Sequence, residues 1–300
     1  MDNSMIEIAD RIFYIEGENG GRYPDCHGLF VKDDRSAIID PACRDELMRG
    51  LASEHGVGLV LNTHYHEDHR IYNYHFDKAR LLVHELDAHG YGDVDDFMSG
   101  FSIVKSPAIK QLWRAFLLDT CKYRPYEIDE TFADGFELDL GHTTVRAVHT
   151  PGHSAGHCCF FFPREGVAYL GDVDLTSFGP WYASVNSDID DFLSSIDRIR
   201  ELAPSAVVTS HGDGLITENV DERLRNYADI IHRRDSAILD FATRPRSLDE
   251  ILALEIVYRK KQKQPDAFFY WDDRWMIEAH LERLVRTGKL KKHGETYSPA

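Results

Sequence analysis

The stretch "NTHYHEDHR", Asn62 to Arg70, stands directly behind the apolar run "VGLVL" and packs three histidines and two acids into six residues. A short apolar run that ends in such a cluster reads as a buried strand whose chain turns polar as it leaves the core. Residues two apart on an extended chain point to the same side, so His64 and His66 can grip one ion. The turn that follows can bring Asp68 and His69 round to a second. A solvated polar turn is the plain alternative, and the density of the cluster argues against it. The fold then has to deliver further ligands to the end of this strand.

Three other places offer them, each where a strand gives way to a turn. "HTPGHSAGH" carries His153 in a Pro-Gly turn, "AYLGDVD" carries Asp172 and "VVTSHGDG" carries His211. Loops at strand ends are where converging site residues are usually mounted. One ion could take His64, His66 and His153, the other Asp68, His69 and His211, with Asp172 bridging both.

With these motifs in order, the chain resembles the metallo-β-lactamase fold superfamily of metallohydrolases over roughly Ile6 to Asp213. The resemblance implies an α/β fold, an αββα sandwich with the site along one edge of its two sheets, and the same ligand split. "SAIIDP" resembles the family's early strand ending in Asp40, a support for the site and not a ligand. In "GHSAGH" the family's ligand is the first histidine, so His157 is expected to hydrogen-bond behind the site. His75, His84, His89 and His149 are expected to be structural or surface residues, and Asp174 and Asp213 to be acceptors or turn residues beside the ligands. Cys158 and Cys159 point to opposite faces of a strand and read as core.

The rest of the chain organises around these points. "DRIFYIEG", "HGLFVKDD" and "RSAIIDP" read as hairpin strands, "DELMRGLASEHG" as a helix stopped near Gly56, and "ARLLVHE" as a strand. Residues 86–127 read as an inserted cap over the sheet edge with one helix in "SPAIKQLWRAFLLDT". Strands resume with "GFELDLG", "HTTVRAVHT", "HCCFFFP" and "GVAYLGD". The helical runs "DIDDFLSSIDRIREL" and "VDERLRNYADIIHRRDSAILDFA" then bracket a last strand. Residues 1–243 are therefore read as the catalytic domain. Residues 244–300 are read as a small, mostly helical module, opened by a capping box at Ser247 and Glu250 and resembling a winged helix.

Thirty-four Lys and Arg stand against 51 Asp and Glu, a net charge of −17, which disfavours a nucleic-acid partner. Locally basic "YRKKQK" and "GKLKK" keep that partner in view. Five cysteines without CxxC spacing suggest neither a disulfide framework nor a cysteine zinc site. No secretory signal or membrane-length apolar run is seen, so a cytoplasmic protein without a membrane partner, able to form a homodimer, is expected.

Two divalent ions bring four positive charges, and Asp68, Asp172 and a bridging hydroxide leave about one, which favours a substrate developing negative charge. The expected function is a dinuclear-metal hydrolase, most simply with zinc (iron or manganese being the other options), acting through a metal-bridging hydroxide on a small ester, thioester or lactone. Asp68 and Asp172 are its candidate catalytic residues. Phe97, Phe101, Trp113, Phe116 and "FGPWY" could form an apolar wall for an acyl chain. The alternatives are an endoribonuclease or phosphodiesterase of the same fold, and a mononuclear-iron oxidoreductase like the persulfide dioxygenases.

Overall fold

The computed structural model describes residues 5–259 and 269–300. Its first sheet runs in sequence order through β1 (Met5–Ala9), β2 (Ile12–Ile15), β3 (Gly28–Val31), β4 (Ala37–Ile39), β5 (Leu59–Leu61), β6 (Arg80–His84) and β7 (Glu130–Phe132). The second contains β8 (Glu137–Asp139), β9 (Thr144–His149), β10 (Cys158–Phe162), β11 (Val167–Tyr169), β12 (Ala206–Val208) and β13 (Leu215–Ile216), ordered from β13 down to β8.

Alternation along the strands builds the layers. Leu59 and Leu61 of β5 join Cys158, Phe160 and Phe162 of β10 in the core between the sheets. Val60 faces the opposite way, with Phe30 and Ile38, onto Met48 and Leu51 of α1 (Asp45–Glu54). On the outer face of the second sheet, Cys159 and Phe161 meet α4 (Ile189–Glu201) and α5 (Val220–Phe241), through residues such as Phe192, Ile196, Leu224 and Ile231. Helix, sheet, sheet and helix stack as the αββα sandwich expected. Cys158 and Cys159 do divide between two cores, and all five cysteines are buried and unpaired.

Several local features depart from the sequence reading. β1 has no counterpart in it: its alternation is masked because every residue is at least partly exposed. The 86–127 segment holds more than one helix, namely 3-10 turns over Glu85–Tyr91 and Ser102–Lys105, α2 (Val94–Ser99) and α3 (Pro107–Asp119). It covers the outer face of the first sheet, because Val60, Leu81 and Val83 present an apolar surface there that Phe97, Met98 and Trp113 bury.

In the tail, the capping box at Ser247 and Glu250 opens α6 (Leu248–Leu252), and α7 (Tyr270–Arg286) follows. β14 (Arg246–Ser247), β15 (Leu290–His293) and β16 (Thr296–Pro299) form a three-stranded sheet in the order β14-β16-β15. Met276, Ile277, Leu281 and Leu284 of α7 share the core of α4 and α5. The tail is thus packed onto the sandwich. Lys260, Lys261 and Lys263 of "YRKKQK" lie outside the described residues, while Lys289, Lys291 and Lys292 of "GKLKK" are exposed on β15 and beside it. Among the described residues, no helix is long and apolar enough to cross a membrane.

Candidate metal centre

The apolar register of β5 ends at Leu61, and the chain leaves the sheet through buried Asn62 and Thr63. His64 and His66 follow, and a 3-10 turn over Glu67–His69 swings Asp68 and His69 to the other side of the same opening. The turn after β9 brings His153, the one after β11 brings Asp172 and the one after β12 brings His211. All seven candidate side chains converge as two groups: His64, His66, His153 and Asp172, and Asp68, His69 and His211.

Asp172 joins them. Its Oδ2 lies 3.1 Å from His153 Nε2 and 3.9 Å from His64 Nε2, while its Oδ1 lies 3.1 Å from His69 Nε2 and 3.4 Å from His211 Nε2. His153 Nε2 is 3.2 Å from His64 Nε2 and 2.9 Å from His66 Nδ1. Asp68 reaches His211 Nε2 at 3.3 Å.

What holds the opposite side of each ring decides which nitrogen carries the proton. His153 Nδ1 donates to the Trp181 carbonyl at 3.0 Å, and His211 Nδ1 to the Gly21 carbonyl at 2.6 Å. His69 Nδ1 donates to Asp40 Oδ2 at 2.9 Å. Thr63 Oγ1 gives its own proton to Asp40 Oδ2 at 2.7 Å, so it accepts from His64 Nδ1 at 3.0 Å. His66 uses Nε2 on Ser184 Oγ at 3.1 Å, turning Nδ1 inward. His64 Nε2 and His153 Nε2 therefore face each other with lone pairs, an arrangement that only a cation between them satisfies. His69 Nε2 and Asp172 Oδ1 are buried without a hydrogen-bond partner, close together but misaligned. Such orphaned atoms are costly in a folded protein unless an ion takes them. Imidazole nitrogens and carboxylate oxygens in this arrangement suit zinc, iron or manganese.

The charges tell the same story. Burial and the neighbouring imidazoles push His64 and His66 well below the usual histidine range, so both are neutral donors of lone pairs. Burial acts against charge on His211 too, but Asp172 and Asp68 overcome it and raise that histidine to about 9. Burial likewise opposes ionisation of Asp172, and His69, His153 and His211 outweigh it and hold the carboxyl well below its ordinary range. The pocket between the acids calls for positive charge.

His157 hydrogen-bonds behind the site, as expected: its Nε2 accepts from the Asp172 backbone N–H at 3.1 Å, and its Nδ1 meets Thr150 at 3.0 Å. Gly171 lets that happen, since it has φ +57° and a Cβ there would come within 2.6 Å of His157 Nε2. Asp40 supports from below. Asp174 caps a turn at Thr176, and Asp213 pairs with Arg223 at the exposed rim. His84 stacks on His149, His75 bonds Asp45, and His89 bonds the Leu86 carbonyl, all apart from the centre.

Some supports had no sequence signal. Buried Asp87 accepts from Ser154 Oγ and the Gly156 N–H, each at 2.7 Å, and so fixes the loop carrying His153. Arg70 is buried beneath the ligand turn, where it donates to the Gly90 and Arg124 carbonyls and lies over the Tyr91 ring at 4.4 Å. This Arg ties the inserted segment to the motif.

A cavity of about 360 Å³ opens onto His66, Asp68, His153 and Asp172. Phe101, Trp113, Phe178 and Trp181 form its walls, with Tyr258, Phe269 and Asp272 added from the tail. Two of the expected wall residues are placed elsewhere. Phe97 is fully buried behind Phe101, because its position on α2 faces the sheet, and Phe116 instead stacks on Tyr23 with ring centroids 5.9 Å apart.

With fold and site in place, the comparison with known proteins agrees: the chain belongs to the metallo-beta-lactamase superfamily, whose family model matches residues 27–211. It is similar to an atrochrysone carboxyl ACP thioesterase of Aspergillus fumigatus, 27% identical over 242 residues that cover 80% of this chain and 61% of that one. An acyl-coenzyme A thioesterase of Bos taurus is 28% identical over 186 residues, covering 58% of this chain and 57% of the relative. The chain thus spans less than two thirds of the length of either thioesterase. A solved metallo-beta-lactamase family protein from Thermus thermophilus shares the fold, with a TM-score of 0.71, 23% identity, and coverage of 97% of this chain and 99% of that one.

Proposed function

We propose that the chain is a metal-dependent hydrolase of acyl thioesters that works with two divalent ions, zinc foremost. The observation that carries the two-ion reading is Asp172, whose two carboxylate oxygens each serve a different triad of ligands. His64, His66 and His153 would hold one ion; Asp68, His69 and His211 would hold the other. Bound there, the ions would supply Lewis acidity and a water acidic enough to act near neutral pH.

The chain's own groups do the rest. Asp40, Thr63, Ser184 and the Trp181 and Gly21 carbonyls fix the rings, so the ligand atoms need little reorganisation when charge develops. The aromatic walls exclude water from the acyl part of the substrate and align its carbonyl with the Asp68 and Asp172 side of the cavity. Two relatives named as thioesterases favour a thioester over an ester or lactone. Among the described residues lining the cavity there is no Lys or Arg, which suits an acyl chain better than a phosphodiester backbone.

The test is a panel of acyl-pantetheine and acyl-coenzyme A thioesters, run beside simple esters, lactones and RNA, with metal content measured on the same preparation. Thioester turnover that falls with chelation and returns with added ions is the expected result. Asp172→Ala should lose both turnover and metal; full turnover in that variant would sink the assignment.

A further inference from the structure

Apart from the candidate ligands, the aromatic cavity beside the metal centre carries polar groups in two places: Glu67, which accepts from the Tyr23 hydroxyl at 2.6 Å, and a corner that the tail supplies. Asp272, in the first turn of α7, is 6% exposed and lines the cavity among aromatic rings. Ser102 Oγ donates to its Oδ1 at 3.0 Å. A carboxylate has about four acceptor sites, so one hydroxyl leaves most of that capacity unused. Among the described residues no Lys, Arg or His pairs with it, and the neighbouring charge is another acid, Asp273. The Tyr258 hydroxyl lines the same cavity and accepts from Trp181 Nε1 at 3.1 Å. Among the described residues its own proton has no acceptor.

An acid with spare acceptor sites in an aromatic wall costs stability, and a leucine would pack there without that cost. The corner is also close to the chemistry. Ser102 follows Phe101, whose ring centroid is 4.7 Å from that of His66, and Trp181, held by Tyr258, has its ring 5.2 Å from that of His153. An acyl chain that brings its carbonyl to the centre would run along these rings towards Asp272.

We propose that Asp272 and Tyr258 form a recognition site for a hydroxyl on the acyl part of the substrate, which makes hydroxyacyl thioesters the preferred class. A hydroxyl matches both groups, donating to the carboxylate and accepting from the phenol. The proposal rests on the thioester reading above and goes further by naming what the acyl group carries. It also gives the tail a role, that of a specificity wall. Burial pushes the Asp272 carboxyl up to about 7, as expected for an acid whose partner arrives with the substrate.

Matched pairs of plain and hydroxylated acyl-pantetheine thioesters test this on the full-length, metal-loaded protein, with the hydroxyl moved along the chain. A site built to bond a hydroxyl discriminates against its absence, so kcat/KM should favour one hydroxylated isomer by about 10-fold or more. That ratio should fall to about one in Asp272→Leu and in Tyr258→Phe. Equal rates for each pair in the wild type, or a ratio unchanged in both variants, would overturn the proposal, as would a stronger preference for an amine in the same place. Asp272→Asn serves where the leucine variant does not fold, and it should reduce the ratio. Binding of the free acids, read by tryptophan fluorescence, separates the two levels of the claim. If no thioester is hydrolysed, the thioester reading fails; tighter binding of hydroxy acids that Asp272→Leu abolishes still upholds the recognition site, and equal binding rejects it.

Discussion

Asp40 touches no ligand atom that faces the centre, yet replacing it with Asn should disable one half of the site. It is fully buried and receives the Thr63 backbone N–H at 2.8 Å, the Thr63 hydroxyl at 2.7 Å and His69 Nδ1 at 2.9 Å. The backbone N–H cannot be reversed, so the Asn oxygen has to stay there and its amide nitrogen must turn towards Thr63 Oγ1 and His69. Thr63 Oγ1 has two lone pairs and can accept both this amide and His64 Nδ1, which leaves His64 as it was. His69 can accept only by moving its proton to Nε2, the atom that faces the centre. Metal affinity at the Asp68, His69 and His211 triad should fall by about 10- to 100-fold, the usual cost of losing a group that orients a ligand, while the His64, His66 and His153 triad keeps most of its affinity. Stability should fall by about 1–2 kcal/mol. Asp40→Ala strands these three donors at about 1–3 kcal/mol each, so a loss of about 3–9 kcal/mol is expected, enough to unfold a protein of ordinary stability in part. Competition with a chromophoric chelator resolves the two affinities, and denaturant unfolding of the metal-free variants gives the stabilities. An Asn variant that binds both ions with wild-type affinity, or loses the other triad's ion first, would refute this reasoning.

Other perturbations follow from the same contacts. Gly171→Ala places a methyl against His157 and Thr63 at a positive φ, and should cost about 1–3 kcal/mol in thermal or denaturant unfolding while weakening metal binding through Asp172. His280 bonds the Tyr182 hydroxyl and Asp235, each at 2.7 Å, so His280→Leu should destabilise the chain by about 2–4 kcal/mol in the same assay. Burial raises the Asp272 carboxyl to about 7 in the folded chain, so its protonated form favours folding below the ordinary carboxyl range and that benefit is lost as pH rises to about 7. Asp272→Asn should therefore raise the unfolding midpoint more at pH 8 than at pH 5; an equal or opposite change would contradict the assigned environment.

The converging candidates were legible because three of the chain turns that carry them leave an apolar run directly: Leu61 precedes His64, Leu170 precedes Asp172 and Val208 precedes His211. Period-two alternation likewise exposed the faces of β10, where Cys158 and Cys159 part. The groups that orient the ligands were mostly hidden. The Gly21 and Trp181 carbonyls belong to the main chain and have no residue signature, and Gly21 lies 190 residues from the histidine it holds. Asp87, itself in the inserted segment, and Arg70 look like ordinary surface charges until that segment packs against the His153 loop and the ligand-motif turn. β1 is illegible because every residue in it is at least partly exposed, and the short 3-10 turns of the insertion carry too few residues for a period.

The central claim is that two ions, shared through Asp172, make this chain a thioesterase. The most direct measurement is a titration of metal-free protein with zinc, following bound metal per chain and thioester turnover together. Turnover should reach its plateau only at two ions per chain, and Asp172→Ala protein should stay inactive throughout. Full turnover at one ion per chain, or turnover that survives complete removal of metal, would contradict the claim.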